Sequence, residues 1–351
     1  MTVVQNEPAV RFALPEGSEA GEPPERRGTA RDGVRLLVAR PNGLEHRRFR
    51  ELPGLLEPGD LLVVNTSATL AAAVDAVDEH GEPVALHVST ALRDREWVVE
   101  LRRQDGTGPD LRTPRPGVRL SLPDGLRLQL TRPYPDGEAV SSRLWRVRLS
   151  RVEQLADYLE AHGSPVRYGY VPHRYPLSDY QTVFGRDRGS AEMASAGRPF
   201  TAELVVELVT RGVVVAPVVL HAGVSSPELH EPPLPERYAV PATTARLVGT
   251  TRAAGGRVVA VGTTVVRALE SAASPDGTVT AASGWTDLVL GPQRPARVVG
   301  GLVTGLHAPQ ASHLLLLEAV AGRALVSAAY RAAVQERYLW HEFGDSSIFL
   351  P

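Results

Sequence analysis

The sequence predicts an α/β protein of about two domains, one mixed α/β and the other a small barrel or sandwich of short strands. Three observations carry this prediction. At 351 residues the chain is long for one core, and 43% apolar content is enough for two. Residues 257–273, RVVAVGTTVVRALESAA, read as a buried strand, a tight turn and an amphipathic helix. Between Ala73 and Arg151 the texture changes to short alternating runs split by Gly and Pro.

Taken in order, residues 1–34 are rich in Pro, Glu and Gly and carry little periodicity. Arg35 to Arg40 reads as a strand, and Phe49 to Leu56 as a short helix closed by Pro58 and Gly59. GDLLVVNTSATLAAAV is a buried strand running into a Thr/Ser-rich turn. The runs VALHVSTAL, EWVVELRR, GVRLSL, LRLQLTRPY and LWRVRLS follow, with PDG and PGV as turn chemistry. Val152 to His162 is an amphipathic helix stopped by Gly163. Thr201 caps a helix through Thr210, and VVVAPVVLHAG is a buried strand ending at His221.

In the 257–273 stretch, Val258 to Val261 is the strand and Gly262 breaks it. Thr263 or Thr264 supplies the capping oxygen, and Val265, Val266, Leu269 and Ala272 form the apolar helix face. Such a turn presents free N–H groups and a positive dipole end, a seat for a carboxylate or phosphate. Arg267 and Glu270 lie one turn apart, at a spacing that lets them pair with each other or with a ligand. Beyond it come two apolar strands, a turn at His307-Ala308-Pro309, and a long apolar helix.

Composition excludes several classes. The absence of cysteine removes disulfides, thiolate catalysis and Cys-based metal sites. No apolar run approaches the ~20 residues of a membrane helix, and the N-terminus lacks a signal-peptide pattern, so the expected location is cytoplasmic. No GxGxxG or GxxxxGK[ST] occurs. The net charge of −2 does not advertise nucleic-acid binding, yet Arg93 to Arg151 holds 13 Arg against 8 acidic residues. Every Lys/Arg position is Arg, and the local excess reads first as a solvated barrel surface. His87 lies in an alternating strand with no metal partner nearby and reads as structural. A lone His221 at a strand end fits a structural hydrogen-bonder as well as a catalyst.

VVAVGTTVVRALESAA resembles a signature of the S-adenosylmethionine:tRNA ribosyltransferase-isomerases of queuosine synthesis, and the resemblance extends in order along nearly the whole chain. FALPEG and EPPERRG are similar to the family's Phe-x-Leu-Pro and Pro-Glu-Arg. GDLLVVN resembles its Gly-Asp-Leu-Leu-Val strand, keeping Asn65, with Ala68 and Ala73 where two arginines stand. Tyr170 is kept from Leu-Pro-Pro-Tyr-Ile. Tyr180, Gln181, Thr182 and Val183 match Tyr-Gln-Thr-Val, and Gly189, Ala196, Gly197 and Phe200 also match. Where the family has Ala-Ala-Pro-Thr-Ala-Gly-Leu-His-Phe, this chain has Glu192 to Phe200, with Ser195 for Thr and Pro199 for His. His221 matches Leu-His-Val-Gly. In the shortened loop VSSPELHEPPLPERY, Glu236 keeps a Glu and Leu234 replaces a His. His307 and Pro309 stay, whereas Gly300 replaces Asp and Gly305 replaces Asn; Gly344 and Asp345 are kept.

The resemblance implies a mixed α/β main domain built from both ends of the chain (1–72 and 152–351) with a β-barrel inserted at 73–151. It implies ribosyl transfer from S-adenosylmethionine, as substrate, to the aminomethyl group of a 7-deazaguanine in tRNA, with isomerisation and release of adenine and methionine. No metal is implied. The sulfonium acidifies the ribose C5′ protons, so a general base removes one, and departing adenine needs a proton. By resemblance, Gly262, Thr263, Thr264 and Arg267 hold a carboxylate or ribose, and His221 or His307 moves protons. Asp345 and Glu270 orient a histidine or grip hydroxyls, and Tyr180 and Phe200 offer ring faces. Gln181, Thr182, Ala196 and Gly197 complete the expected substrate-binding set. The departures remove polar groups while the apolar framework survives. That leaves two alternatives open: a small nucleobase or nucleoside acceptor, or a non-catalytic nucleoside-binding protein. The oligomeric state stays open.

Overall fold

A computed structural model describes residues 7–93, 95–104, 114–135, 143–151, 153–224 and 233–351. The chain opens with β1 (Arg35–Arg40) and β2 (Gly43–Arg48), then β3 (Leu61–Asn65) and the short β4 (Ser67–Thr69). Six strands follow: β5 (Ala73–Asp78), β6 (Pro83–Arg93), β7 (Glu96–Arg102), β8 (Arg119–Ser121), β9 (Arg127–Tyr134) and β10 (Leu144–Leu149). They close into a barrel in the order β10-β7-β6-β5-β8-β9, which decides between barrel and sandwich. Alternation explains the closure: Val84, Leu86, Val88, Trp97, Val99 and Leu101 point inward and fill the interior.

After the barrel come α1 (Leu155–His162), β11 (Asp187–Ser190), α2 (Ala202–Thr210), β12 (Val214–His221) and β13 (Glu236–Val240). Next are α3 (Ala242–Ala253), β14 (Val258–Val261), α4 (Thr263–Ser271), β15 (Ala282–Thr286), β16 (Gly301–Gly305), α5 (His313–Ala321), α6 (Arg323–Gln335) and β17 (Ser346–Phe349). The main sheet has nine strands in the order β15-β13-β12-β3-β14-β16-β17-β1-β2. Its centre, β12-β3-β14-β16, is parallel. At its far side N-terminal β1 pairs in parallel with C-terminal β17, so both ends of the chain build one sheet.

Both faces of this sheet are covered. Leu61, Val63, Ala216, Val218 and Ala260 pack under residues of α3 to α6, including Val265, Leu269, Leu317 and Tyr330. On the other face Leu62, Val64, Val259, Val261 and Ile348 pack against Phe49, Leu52, Phe200, Leu204 and Leu208. A strand buried on both faces reads as a near-continuous apolar run, as LLVV and VVAV do, and the one polar residue of β3, Asn65, stands at its end with its side chain hydrogen-bonded.

Several local expectations need correction. The helix at 49 is a 3-10 helix, Phe49–Gly54. The helix expected over 152–162 begins at Leu155; Val152 lies outside the described residues. Only one of the two apolar strands expected after residue 287 forms, β16, because Asp287–Leu290 is irregular chain. The apolar helix expected after the His307-Ala308-Pro309 turn does form, as α5, and it ends at Gly322, whose φ of +78° no continuous helix accommodates, before α6 begins. Thr201 does cap α2, accepting from the Leu204 amide. Neither Thr263 nor Thr264 caps α4: the capping position is Gly262, at φ +94° and ψ 155°, a conformation open only to glycine.

Candidate active site

The carboxyl ends of the parallel strands converge where Asn65, His221, Gly262 and Gly305 end β3, β12, β14 and β16, or directly follow them. Open α/β sheets place ligands at this crevice. Here it is a cavity of about 270 Å³, closed on its other side by Ser89, Tyr134 and Arg143 from the barrel's outer wall. The size lies near the lower end of the roughly 300–1,000 Å³ typical of small-molecule sites.

Asn65 organises the strand ends. Its Nδ2 donates to Leu220 O (2.8 Å) and to Thr264 Oγ1 (3.2 Å), and its Oδ1 accepts from the amides of Ser67 and Leu220. The first intrahelical bonds of α4 run from Val265 and Val266 to Gly262 O. The amides of Thr263 and Thr264 precede them and stay available at the cavity wall.

His221 lines the same cavity, half-buried. Its Nδ1 lies 2.8 Å from Ser67 Oγ, which lies 2.6 Å from Ser190 Oγ, which accepts from the Ala222 amide at 3.0 Å. The order of protons follows. Ser190 is buried, and the acceptor in reach of its own hydroxyl proton is Ser67 Oγ. Ser67 then donates to Nδ1, and the neutral ring carries its proton on Nε2. Burial, reinforced by the positive charge of Arg237 and opposed by Asp187, pushes this imidazole down to about 4, so it is neutral near pH 7. Gly189 permits the ring position: a Cβ there would sit 2.4 Å from Nδ1.

His307 and His313 stack in the cavity with centroids 4.6 Å apart and planes 3° apart. His307 Nε2 lies 3.0 Å from Thr304 Oγ1. Burial holds both rings down, His307 far below the usual range with help from His313 and His341, and His313 to about 4 with help from Arg267. Two carboxylates line the same cavity. Tyr168 donates its hydroxyl to Glu192, and Tyr170 donates to Glu342 at 2.7 Å. Burial first, then the facing carboxylates, raise both phenols, so they remain donors. Tyr170 also stacks on His341 at 4.2 Å.

Of the expected residues, Tyr180, Ala196, His221, Gly262, Thr263, Thr264, Arg267 and His307 come together around this cavity. Arg267 differs from expectation in its partners. It ion-pairs with Glu236, not Glu270, and donates to the carbonyls of Leu234, Thr286 and Leu288 at 3.1–3.2 Å. It braces the wall. Glu270 is turned away from the cavity and accepts the amides of Arg297, Val298 and Val299. Asp345 accepts the amides of Arg35 and Leu339, both at 2.8 Å, and lines a smaller adjoining hollow with Arg198 and Pro199. Phe200 is core, against Phe49 and Phe184. Gln181 clamps Thr69 through its amide and carbonyl, while Thr182 packs beside Gly197. These five polar or aromatic side chains and Gly197 support the site from behind rather than line it.

Glu192, Tyr168 and Glu342, from loops, and His313, at the start of α5, also line the cavity, and no periodicity or spacing in the sequence marks them. Among the described residues no group of three or more His, Asp or Glu side chains is arranged to hold a metal ion.

The model of a family described as queuosine biosynthesis protein matches residues 8–349. The S-adenosylmethionine:tRNA ribosyltransferase-isomerase of Geobacter sulfurreducens is 35% identical over 334 residues, covering 90% of this chain and 92% of the relative. That of Moorella thermoacetica is 34% identical, covering 97% and 98%. The chain belongs to the queuosine biosynthesis protein family. The crystal structure of S-adenosylmethionine tRNA ribosyltransferase from Thermotoga maritima is similar with a TM-score of 0.53 and 30% identity, over 97% of this chain and 99% of that one.

The family-motif departures have definite places. Gly305 lies at the cavity with open space around its missing Cβ, so loss of an Asn side chain enlarges the site there. Leu234 lines it and packs toward the barrel's Val98, Tyr134 and Leu144. Arg198 does not stand in for the histidine lost at Pro199, since it is braced on Glu25 and Asp179 O, both at 2.9 Å. Ala68 is buried in β4, Ala73 starts the first barrel strand, and Gly300 is exposed; none lines the cavity. Residues 225–232 of the shortened loop lie outside the described residues.

Proposed function

We propose that this chain transfers and isomerises the ribosyl part of S-adenosylmethionine onto 7-aminomethyl-7-deazaguanine in tRNA, releasing adenine and methionine. The observation that carries the reading is a family match over residues 8–349 whose retained positions, His221, Gly262-Thr263-Thr264 and His307, meet at one cavity. The amides of Thr263 and Thr264 at the positive end of α4 suit the methionine carboxylate. Glu192 and Glu342, which line the same cavity, supply negative charge that suits the sulfonium and ammonium. His221, neutral and with its proton on Nε2, is placed to donate a hydrogen bond to a nitrogen of departing adenine while keeping that proton. Arg267 acts by holding the wall in place and not as the carboxylate anchor.

Calorimetric titration with S-adenosylmethionine, followed by mass spectrometry with and without tRNA carrying 7-aminomethyl-7-deazaguanine, tests this. Binding, release of adenine and methionine, and a mass gain on the tRNA are expected. Binding with turnover on the free base but not on tRNA would replace the tRNA acceptor by a small one. No binding would overturn the reading.

No helix among the described residues is long and apolar enough to cross a membrane.

A further inference from the structure

Three neighbouring strands place His221, Arg237 and Trp285 in one row. His221 is directly opposite Arg237 in the β12–β13 pair, and Arg237 is directly opposite Trp285 in the β13–β15 pair. Residues directly opposite each other in antiparallel strands present their side chains to the same face. The two ends of the row, His221 and Trp285, both line the cavity, which Glu236 lines from the opposite face of β13, so the row runs along one side of the cavity at the strand ends. Arg237 lies between them, exposed, with no ion pair among the described residues. Its positive charge reaches His221, which agrees with the register.

The outer end of the row is unusual. Trp285 is 43% exposed, whereas Trp97, Trp145 and Trp340 are each 6% exposed or less. It stands on β15, the edge strand of the main sheet, next to exposed Ser283 and Gly284. Two strand spacings, roughly 10 Å, separate it from His221, a span on the scale of a nucleotide. An exposed aromatic ring, then an unpaired guanidinium, then the catalytic cavity is the arrangement that single-stranded nucleic acid requires: a stacking surface followed by a phosphate contact.

We propose that Arg237 and Trp285 form the docking strip for the RNA acceptor. Trp285 stacks on a base flanking the one in the cavity, and Arg237 neutralises a phosphate between the two. The assignment rests on the tRNA-modifying reading and names residues for acceptor binding that the family motifs do not include.

Because Trp285 is the one exposed tryptophan of the four, it reports its own contact. Fluorescence of the full chain is quenched with acrylamide, with and without tRNA carrying 7-aminomethyl-7-deazaguanine. Loss of the acrylamide-accessible fraction on tRNA binding is expected. Trp285→Ala should raise the KM for tRNA about tenfold, the effect of one lost base stack. Trp285→Phe should recover most of that loss. Arg237→Gln should reduce the slope of log Kd against log salt by about one. A Trp285 that stays equally accessible with tRNA bound, or a Trp285→Ala enzyme with unaltered KM for tRNA, overturns the strip, as does a wild-type chain that binds no tRNA. Protection of Trp285 without adenine release would retain the strip and reject the reaction, so the two failures are distinguishable.

Discussion

Glu270→Gln tests whether the helix after the Gly262 turn is held structurally or by ligand chemistry. The Glu270 carboxylate is 1% exposed and accepts three amides in the loop that leads into β16: Arg297 at 3.0 Å, Val298 at 2.9 Å and Val299 at 3.2 Å. A hydrogen bond to an ionised acceptor contributes about 1.5–3 kcal/mol, against about 0.5–1.5 for a neutral one. Gln keeps one oxygen for these amides but removes the charge and turns an NH2 toward the Arg297 amide, which contacts both oxygens. Losing about 1 kcal/mol per bond gives a destabilisation of about 3 kcal/mol. For a chain of this size that is a fall in Tm of roughly 4 °C. The assay is urea and thermal unfolding of both proteins, with calorimetry of S-adenosylmethionine binding to the folded variant. The expected pattern is lower stability with affinity unchanged within about twofold. Unchanged stability with lost affinity would refute the structural assignment and return Glu270 to the ligand.

Three further outcomes follow from the same geometry. Arg267→Ala removes the charged donor from Glu236, which among the described residues keeps only the Gly223 amide, and from three carbonyls, and should cost about 3–5 kcal/mol. Adding Glu236→Gln should recover at least about 1 kcal/mol in a double-mutant cycle, and strict additivity would contradict the pairing. Nitrogen NMR of labelled protein should show His221 protonated on Nε2, and Ser67→Ala should allow the other tautomer to appear; an Nδ1-protonated ring in the wild type would reverse the proposed proton order. Burial, with nearby Arg charges, holds His221 and His313 at about 4 and His87 at about 3, so the folded chain binds fewer protons than the unfolded one between those values and about 6.5. Stability should therefore rise with pH through that window and be lost as pH falls from about 6.5 toward 4. Glu100, Glu236 and Asp345, raised by burial, oppose this and reduce the net loss. Equal urea midpoints at pH 7 and pH 5 would contradict the balance.

Much was legible in the linear order of residues. Apolar runs without polar alternation, such as LLVV and VVAV, can be satisfied only where both faces of a strand are covered, so they identify central strands. Alternating runs separated by Gly and Pro mark a sheet with one interior face, and those between 73 and 151 do close into a barrel. The glycine break before two threonines located the turn that lies at the cavity. Motif resemblance supplied His221 and His307.

What required the tertiary structure was direction and partnership. A sequence places Arg267 and Glu270 one turn apart, but three residues on a helix also differ by some 60° in facing, and here one points to Glu236 and the other to the Arg297 loop. Likewise Tyr168 and Glu192 are 24 residues apart, and Tyr170 and Glu342 are 172 apart. No periodicity links such pairs, because chain reversals bring them together. The row His221, Arg237, Trp285 exists only through strand register, which is set by hydrogen bonding between segments far apart in sequence. Residue order alone marks which segments are buried and which turn is tight. Packing decided which polar groups share a cavity, because it assigns each buried donor and acceptor the partner it must have.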